Sequence, residues 1–325
     1  MKIFIRVFTI SFICFVMIFS SMVWSFNKFM KDDHPNANIP VVRDVRDDNY
    51  ADSVIDPELK SLVQQSNRIN MVVLGIDQTR SDTMIFASFD PDTKRADMIS
   101  IPRDTYYPRA GYNAPAKKKI NSTYGDHGAQ GVKSVVSDLL FGIPVDYYIT
   151  LDYKGVASIV DGIKGVPVYI PQRMKYDDPY DKPPLHIDFA KGNHVLMGED
   201  AVKFLRYRQA NSGSGAMNRN GDLGRIQAQQ EFIKAAMQKA LTIGKIPTLA
   251  SNAFRFVRTD IEVQDVTKIA SKIVGLDSDN IKMHTLPGVP SYQGGASYFF
   301  HNVEDTKGVL VNIYSKETVT ETTEN

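Results

Sequence analysis

Cysteine is nearly absent from this chain of 325 residues, in which Cys14 is the only one. A single thiol excludes an internal disulfide and a cysteine-based metal site. Histidine is sparse as well, and His186 and His194 have no Glu-rich helix beside them. We therefore expect no zinc site at these two histidines, because such a site needs more ligands at close spacing.

An excess of either charge is also missing. The chain has 38 Lys and Arg residues against 37 Asp and Glu residues, a formal net charge of +1. This balance, with no basic helix and no zinc motif, argues against nucleic acid as a partner. Any binding of anions must come from local clusters of charge. With 43% hydrophobic and 23% charged residues, most of the chain should be globular.

Only one long apolar run occurs, over residues 7–26 (VFTISFICFVMIFSSMVWSF). A run of about 20 uncharged residues is the length that spans a hydrocarbon core. It predicts a single membrane anchor with a short cytoplasmic end, residues 1–6, and the remaining chain outside the cell membrane. A cleaved signal peptide is the alternative, although no small-x-small cleavage site follows the run. Whether the segment is cleaved stays open.

The rest of the chain divides by composition. A polar stretch with three prolines predicts a juxtamembrane spacer over residues 27–67. A globular domain is expected over residues 68–315. The polar segment KETVTETTEN predicts a disordered tail over residues 316–325.

Charged side chains cluster where short predicted strands end. Alternating apolar residues predict strands over residues 71–74, 84–89 and 96–101. Five charged residues lie at the ends of these strands: Asp77, Arg80, Asp82, Arg103 and Asp104. Paired carboxylates suit Mg²⁺ and arginines suit phosphate, so the group indicates a site for a metal-bound phosphate or pyrophosphate. The alternative is that each is a solvated loop charge or a structural ion pair.

Helical and extended patterns then follow one another along the chain. Between residues 132 and 241 they predict helices over 132–140, 152–162, 198–205 and 222–241. They predict strands over 146–151 and 166–170 and an extended piece over 186–189. A loop is expected over 171–184 and a turn near Gly192. Beyond residue 241 they predict helices over 247–257, 263–274 and 303–313, and strands over 281–286 and 297–301.

Further cations lie near predicted helix ends. Arg206 and Arg208 flank Tyr207, so in extended backbone both would point to one face and could clamp a diphosphate. Asp222 is a plausible N-cap of the helix over 222–241. In its first turns Arg225 and Gln229 share a face, where the positive end of the helix favours an anion.

Six motifs in this order carry a resemblance to a known family. They read VVLGID, RSDTM, MISIPRDT, KINSTY, FLRYRQ and DLGRIQAQQ. On these stretches, which extend over about residues 68–241, the chain resembles the LytR–CpsA–Psr family of envelope glycopolymer ligases.

The resemblance implies a fold and a reaction. The fold would be a three-layer α/β/α arrangement, a mixed β-sheet flanked by helices, with a hydrophobic pocket for a polyprenyl chain. The enzyme would transfer a glycopolymer from a polyprenyl-pyrophosphate carrier to a peptidoglycan hydroxyl and form a phosphodiester. Its partners would be the lipid-linked glycopolymer, the peptidoglycan acceptor and membrane lipid, and its cofactor Mg²⁺ (or Mn²⁺).

The same resemblance assigns roles to residues. Asp77 and Asp82 match the metal-binding carboxylates, and Arg103 matches the essential arginine of the IPRD motif. Pyrophosphate contacts would come from seven residues: Arg80, Lys119, Arg206, Arg208, Arg225 and Gln229, with Asp222 supporting Arg225. Asp82 or Asp104 would act as the base, and sequence does not separate base from metal ligand.

Two other functions stay open at this point. The chain could be a non-catalytic, membrane-anchored regulator that binds polyprenyl phosphate or polysaccharide. It could also hydrolyse the lipid pyrophosphate, with water in place of the sugar hydroxyl. Neither the polymer, the acceptor sugar, the type of envelope nor the oligomeric state follows from the sequence.

Overall fold

Strands and helices alternate through residues 57–181, 184–207, 222–243 and 257–315, the parts of the chain that the computed structural model describes. The strands in these ranges are β1 (Ile69–Asp77), β2 (Arg80–Asp90), β3 (Arg95–Ser100), β4 (Tyr147–Leu151), β5 (Val166–Ile170), β6 (Met174–Asp178), β7 (Leu185–Phe189), β8 (Gly192–Leu196), β9 (Val257–Thr259), β10 (Ile281–Thr285), β11 (Gly288–Gln293) and β12 (Ala296–His301). The helices are α1 (Pro57–Gln64), α2 (Thr123–Leu139), α3 (Tyr153–Gly162), α4 (Gly198–Arg206), α5 (Asp222–Ile243), α6 (Val263–Ile273) and α7 (Val303–Tyr314).

A six-stranded mixed sheet in the order β10-β3-β2-β1-β4-β9 forms the centre of the fold. Strand β2 is antiparallel to both β1 and β3, whereas β4 is parallel to β1 and β10 is parallel to β3. Strands β1, β3, β4 and β10 therefore point the same way. Their carboxyl ends meet at one edge of the sheet, which β2 enters from its amino end.

Helices cover both faces of this sheet because its strands are apolar on both faces. On one face Leu74 and Phe86 pack with Val132 and Val136 of α2 and with Leu310 of α7. The other face is covered by α5 and α6, whose side chains pack on a cluster that includes four buried residues: Phe89, Ala96, Leu276 and Ile281. The structure thus confirms a mixed sheet flanked by helices.

A second apolar cluster joins the smaller elements. The antiparallel pairs β5–β8 and β6–β7 pack with α3, α4 and α5 around Ile170, Ile187, Phe204 and Phe232. This packing fixes α4 and α5 beside the main sheet.

Most predicted elements are confirmed with ends that differ by a few residues. Helix α2, however, begins nine residues before its predicted start, and Val257, predicted to be helical, begins β9. Helix α3 starts after Asp152, whose carboxylate accepts a hydrogen bond from the Gly155 N–H as an N-cap does. The predicted loop over 171–184 is wrong in part, because residues 174–178 form β6 and pair with β7. The predicted turn at Gly192 is the first residue of β8, and β11 was not predicted.

Helix α1 lies in the segment that we expected to be a spacer. Leu59, Leu62 and Val63 follow helical spacing, and Leu59 is fully buried in the main core. Folded structure therefore extends at least eleven residues before Arg68, to Pro57.

Several predictions lie outside the described residues. These are the anchor over 7–26, the tail, Arg208, and residues 247–256 of the helix expected over 247–257. Among the helices that the structure describes, none is both long enough and apolar enough to cross a bilayer.

Candidate active site

The predicted site residues gather at the sheet edge where the parallel strands end. Asp77 is the last residue of β1, and Arg103 follows β3 by three residues. Arg80 and Asp82 are the first and third residues of β2, which starts at this edge after a two-residue turn, Gln78–Thr79. Loops at the carboxyl ends of strands in open α/β sheets are a common position for ligand sites.

Asp82 lies in a β-bulge. Gly75 pairs with Thr83 and the next residue, Ile76, pairs with Ser81, so Asp82 has no opposite residue on β1. A bulge of this kind bends the strand and re-aims a side chain, and bulges are enriched beside active sites. The glycine in the motif VVLGID has a local reason as well, because a Cβ at Gly75 would lie 3.0 Å from the Cβ of Thr83.

Arg103 forms an ion pair with Asp82. Its Nη1 lies 3.0 Å from Oδ1 of Asp82, and the two side chains are 18% and 22% exposed. The loop that carries Arg103 is held at both ends: the Ile101 N–H donates to the Met84 carbonyl, and the Asn121 N–H donates to the Arg103 carbonyl. The guanidinium is therefore presented from a fixed backbone.

A second charged group lies around Asp77. The Tyr153 hydroxyl, on α3, donates to Oδ2 of Asp77 at 3.0 Å, and the Arg206 guanidinium lies over the Tyr153 ring at 4.7 Å. Arg206 also donates to Oδ2 of Asp181 at 2.7 Å. Burial and then the charge of Asp77 raise the pKa of the Tyr153 phenol far above its usual value, with a smaller contribution from Asp82. The phenol is thus a neutral donor at ordinary pH.

Arg206 keeps its proton despite its position. Its burial would lower the pKa of the guanidinium, but the hydrogen bond with Asp181 and the charges of Asp181 and Asp77 raise it. Tyr153 therefore connects Asp77 with a permanently cationic group.

Lys119 and Asp104 form the third pair, with 3.1 Å between Nζ and Oδ1. The loop before Lys119 is anchored by Arg109, whose side chain is fully buried and donates at 2.8 Å to both Ser122 and Asp126. Burial would raise the pKa of Asp126, but hydrogen bonds from Lys117 and Arg109 and their charges lower it. Lys119 thus projects from a rigid segment.

A narrow cleft opens between the sheet and α5 beside Arg103. Its polar lining consists of five residues, Asp82, Thr83, Ser100, Arg103 and Gln229. The apolar lining includes Met84, Ile101, Ile226 and Ile233. Gln229 also donates to the Leu205 carbonyl at 3.3 Å, and so links α5 to the end of α4.

Four predicted site residues are not among the side-chain contacts described above. Arg80 pairs with Asp77 across the hairpin, but its side chain is exposed. Arg208 is outside the described residues. Asp222 and Arg225 lie in the first turn of α5, where the structure describes the backbone but not their side chains. Among the described side chains, no three His, Cys, Asp or Glu residues form a cluster that could hold a metal.

Two residues of the site were missed from the sequence, Tyr153 and Asp181. Tyr153 could have been found from topology, because Gly75 pairs with Leu151 and both Asp77 and Tyr153 follow that pair by two residues. The sequence does not show that β1 and β4 are neighbours. Asp181 comes from a distant loop, and no signal indicated its contact with Arg206.

Residues 40–312 match the family described as LytR_cpsA_psr, which is most of the chain. The chain belongs to this family. The resemblance inferred from the six motifs is therefore confirmed.

Curated members of the LytR–CpsA–Psr family include relatives from Bacillus subtilis. The chain is 30% identical over 240 residues to the polyisoprenyl-teichoic acid–peptidoglycan teichoic acid transferase TagV, an alignment that covers 71% of this chain and 59% of TagV. It is 27% identical over 246 residues to TagU, which bears the same transferase description, with 73% and 74% coverage. The regulatory protein MsrR of Staphylococcus aureus is 27% identical over 241 residues, with 71% and 68% coverage.

The fold agrees with that of a solved family member. The crystal structure of B. subtilis TagV superposes with a TM-score of 0.61 at 27% identity, over 76% of this chain and 95% of that structure. The mixed sheet and its flanking helices are thus the fold of the family.

Proposed function

We propose that this protein transfers a glycopolymer from a polyprenyl-pyrophosphate carrier to a peptidoglycan hydroxyl, forming a phosphodiester. The observation that carries the proposal is the Arg103–Asp82 pair in a cleft that is lined by both polar and apolar side chains. Such a cleft matches an amphiphile with an anionic head and a hydrocarbon chain. The names of TagV and TagU, as peptidoglycan teichoic acid transferases, support the same reaction class.

The cations of the site suit a pyrophosphate. Arg103, Arg206 and Lys119 each have a carboxylate partner within 3.1 Å. Pairs with this degree of exposure stabilise a fold by about 0–1 kcal/mol. A dense anion can therefore take over these donors at little cost, since their positions are held by Asn121, Tyr153 and the Arg109 loop.

The hydrocarbon chain would enter between the sheet and α5. The open volume of the cleft is about 10 Å³, room for about one water molecule. A polyprenyl chain therefore requires α5 to move away from Met84 and Ile101. Helix α5 is joined to the sheet end by Gln230, which donates to Ser100, Thr285 and the His284 carbonyl at 2.8–3.1 Å. That movement would have to lengthen or break these bonds, because Ser100 itself lines the cleft.

We propose that a divalent cation binds to the carboxylates at this edge. Asp77 ends β1, and Asp82 lies near the start of the neighbouring strand β2. Mg²⁺ in phosphoryl-transfer sites is usually held by one or two carboxylates and substrate phosphates, with water completing the shell. Asp77 and Asp82 would hold Mg²⁺ or Mn²⁺, which when bound would neutralise charge on the phosphate oxygens.

The transfer step has a simple balance. The sugar hydroxyl attacks the phosphorus that bears the glycopolymer, a new P–O bond forms, and the bond to the bridging oxygen breaks. Polyprenyl phosphate leaves with that oxygen, and the hydroxyl proton passes to a carboxylate, Asp82 or Asp104. Arg103 would stabilise the charge that develops on the phosphoryl oxygens. In the cell the domain would lie outside the membrane, anchored by residues 7–26.

The decisive experiment uses the purified protein with a polyprenyl-pyrophosphate-linked oligosaccharide, Mg²⁺ and peptidoglycan fragments. Mass spectrometry should detect the conjugate with the wild type and not with Arg103→Ala. Arg173→Ala is the matched control, since the Arg173 side chain is 62% exposed and pairs with Asp188, and neither residue belongs to the candidate site. Free phosphorylated saccharide without conjugate would support hydrolysis instead. Lipid binding without turnover would support a regulatory role, as the name of MsrR suggests for that relative.

A further inference from the structure

Three aromatic rings lie beside the Lys119–Asp104 pair. The ring centroid of Tyr106 is 5.0 Å from that of Tyr298 and 5.1 Å from that of Phe300. The Lys119 ammonium is 6.0 Å from the centroid of Tyr298. A cation, a carboxylate and several rings thus lie together, and the cation, Lys119, is also one of the residues proposed to bind pyrophosphate.

Backbone pairing explains how the rings reach this position. Thr105 pairs with Phe299 of β12, because the Phe299 N–H donates to the Asp104 carbonyl and the Tyr106 N–H donates to the Phe299 carbonyl. Tyr106 in turn pairs with Lys119. The segment after Arg103 is therefore a short extended strand between β12 and the Lys119 loop.

Along these strands, buried side chains alternate with partly exposed ones. Thr105 is fully buried and Phe299 is 4% exposed in the main core. Their neighbours Asp104, Tyr106 and Phe300 point the other way and are half-buried. Tyr298 lies beneath them at 3% exposure, with its hydroxyl donating to the Pro115 carbonyl at 3.1 Å. Two partly exposed rings thus rest on a buried third ring.

This combination suits a sugar ring. A pyranose has an apolar face of C–H groups, which packs on an aromatic ring, and a rim of hydroxyls. Asp104 can accept hydrogen bonds from that rim, and Lys119 can donate to it. Asp104 and Lys119 are 29% and 20% exposed, so both can be reached by a bound sugar.

We propose that Tyr106 and Phe300, with Asp104 and Lys119, form a platform that binds a pyranose ring beside the reacting phosphate. This inference rests on the proposed function for its choice of ligand. The sugar has two possible sources, the acceptor saccharide of peptidoglycan or the first sugar of the lipid-linked polymer. The platform holds either one by the same contacts, and the reaction brings both to this place.

The test compares Tyr106→Ala and Phe300→Leu with Tyr292→Ala in the full-length protein. Phe300→Leu keeps an apolar side chain and removes the ring. Tyr292 lies on the same hairpin but is 74% exposed and outside the cluster, so its variant is the control. Saturation-transfer NMR would measure binding of a peptidoglycan disaccharide and of the lipid-linked oligosaccharide, each without turnover. Thermal unfolding would identify variants that have lost the fold.

We expect both platform variants to weaken binding of one saccharide about tenfold, the size of one or two aromatic contacts, while the control binds like the wild type. Loss confined to the disaccharide assigns the platform to the acceptor, and loss confined to the lipid-linked saccharide assigns it to the donor. Unchanged binding of both by folded variants would overturn the platform. Because binding is read without turnover, a wild type that binds the saccharide but makes no conjugate would refute the proposed function and leave the platform standing.

Discussion

The hydroxyl of Tyr153 donates a hydrogen bond to the carboxylate of Asp77, a residue 76 positions away in the chain. This bond joins the carboxyl ends of the neighbouring parallel strands β1 and β4. Tyr153 also supports the Arg206 guanidinium on its ring. One phenol therefore orients both a proposed metal ligand and a proposed pyrophosphate ligand.

Tyr153→Phe removes the bond to Asp77 and keeps the ring under Arg206. Partners of metal ligands typically contribute about 10- to 100-fold to metal affinity or activity. We expect the Mg²⁺ concentration for half-maximal transfer to rise within that range, as measured by a Mg²⁺ titration of conjugate formation. Tyr292→Phe should leave the titration unchanged. An unaltered Mg²⁺ dependence in Tyr153→Phe would remove Asp77 from the proposed metal site.

Arg103→Lys keeps the charge and removes the planar fork that can hold two phosphate oxygens. Loss of one preorganised donor to a transition state costs about 10²- to 10³-fold in kcat. We expect a loss of that size in the conjugation assay, with an unchanged melting temperature because the pair with Asp82 is partly exposed. Arg173→Lys is the control. Near-normal kcat for Arg103→Lys would show that Arg103 acts only through its charge.

Ile233→Trp places a larger side chain in the cleft between the sheet and α5. If the polyprenyl chain occupies this cleft, the variant should bind the long-chain substrate more weakly and a short-chain analogue almost normally. The comparison of KM for the two chain lengths measures this directly. An equal effect on both substrates would place the hydrocarbon chain elsewhere.

Gly125→Ala tests whether the close packing of α2 on the β1–β2 turn holds Asp77 and Arg80 in position. A Cβ at Gly125 would lie 2.6 Å from the Thr79 carbonyl oxygen, so the turn between β1 and β2 must shift. We expect lower transfer activity and a lower melting temperature. Gly308→Ala is the matched control, because a Cβ added at Gly308 would meet nothing within 4 Å. Alanine is also the better helix former by about 1 kcal/mol. That variant should be at least as stable as the wild type and fully active.

The buried carboxylate Asp97 predicts how stability depends on pH. It is fully buried between Arg68, at 2.5 Å, and Arg95, at 2.9 Å, with His284 at 3.2 Å. Burial would raise the pKa of Asp97, but hydrogen bonds from His284 and Arg95 and the charges of Arg68 and Arg95 bring it below the usual 3.8.

A lowered pKa means that Asp97 stabilises the fold above the unfolded-state pKa and that this contribution is lost as the pH falls below 3.8. Asp97→Asn removes the buried charge that faces Arg68 and Arg95, and we expect it to cost about 3–5 kcal/mol at pH 7. Urea unfolding from pH 3 to pH 7 would measure both effects. The exposed control Asp188→Asn should change stability little, and a similar loss in both variants would contradict the role of Asp97.

Local sequence was sufficient to predict the positions of the strands and helices whose apolar residues recur with a strong period. Strand β1, helix α3 with its N-cap Asp152, and helix α5 were all predicted close to their observed positions, because apolar spacing and capping act within a few residues. The strand β6 was missed, since a segment rich in Pro, Tyr and Asp has turn character and becomes a strand only by pairing with β7.

The sequence by itself determined which charged groups this protein has at its strand ends, and the motifs around Asp77, Asp82 and Arg103 determined the family, since both are properties of short stretches of chain. Only the tertiary structure decided which groups meet. The pairing of β1 with β4 brought Tyr153 to Asp77, the bulge set the direction of Asp82, and the pairing of Thr105 with Phe299 placed the aromatic rings beside Lys119. These contacts join residues far apart in the chain, and they depend on sheet order and register, which local patterns do not encode.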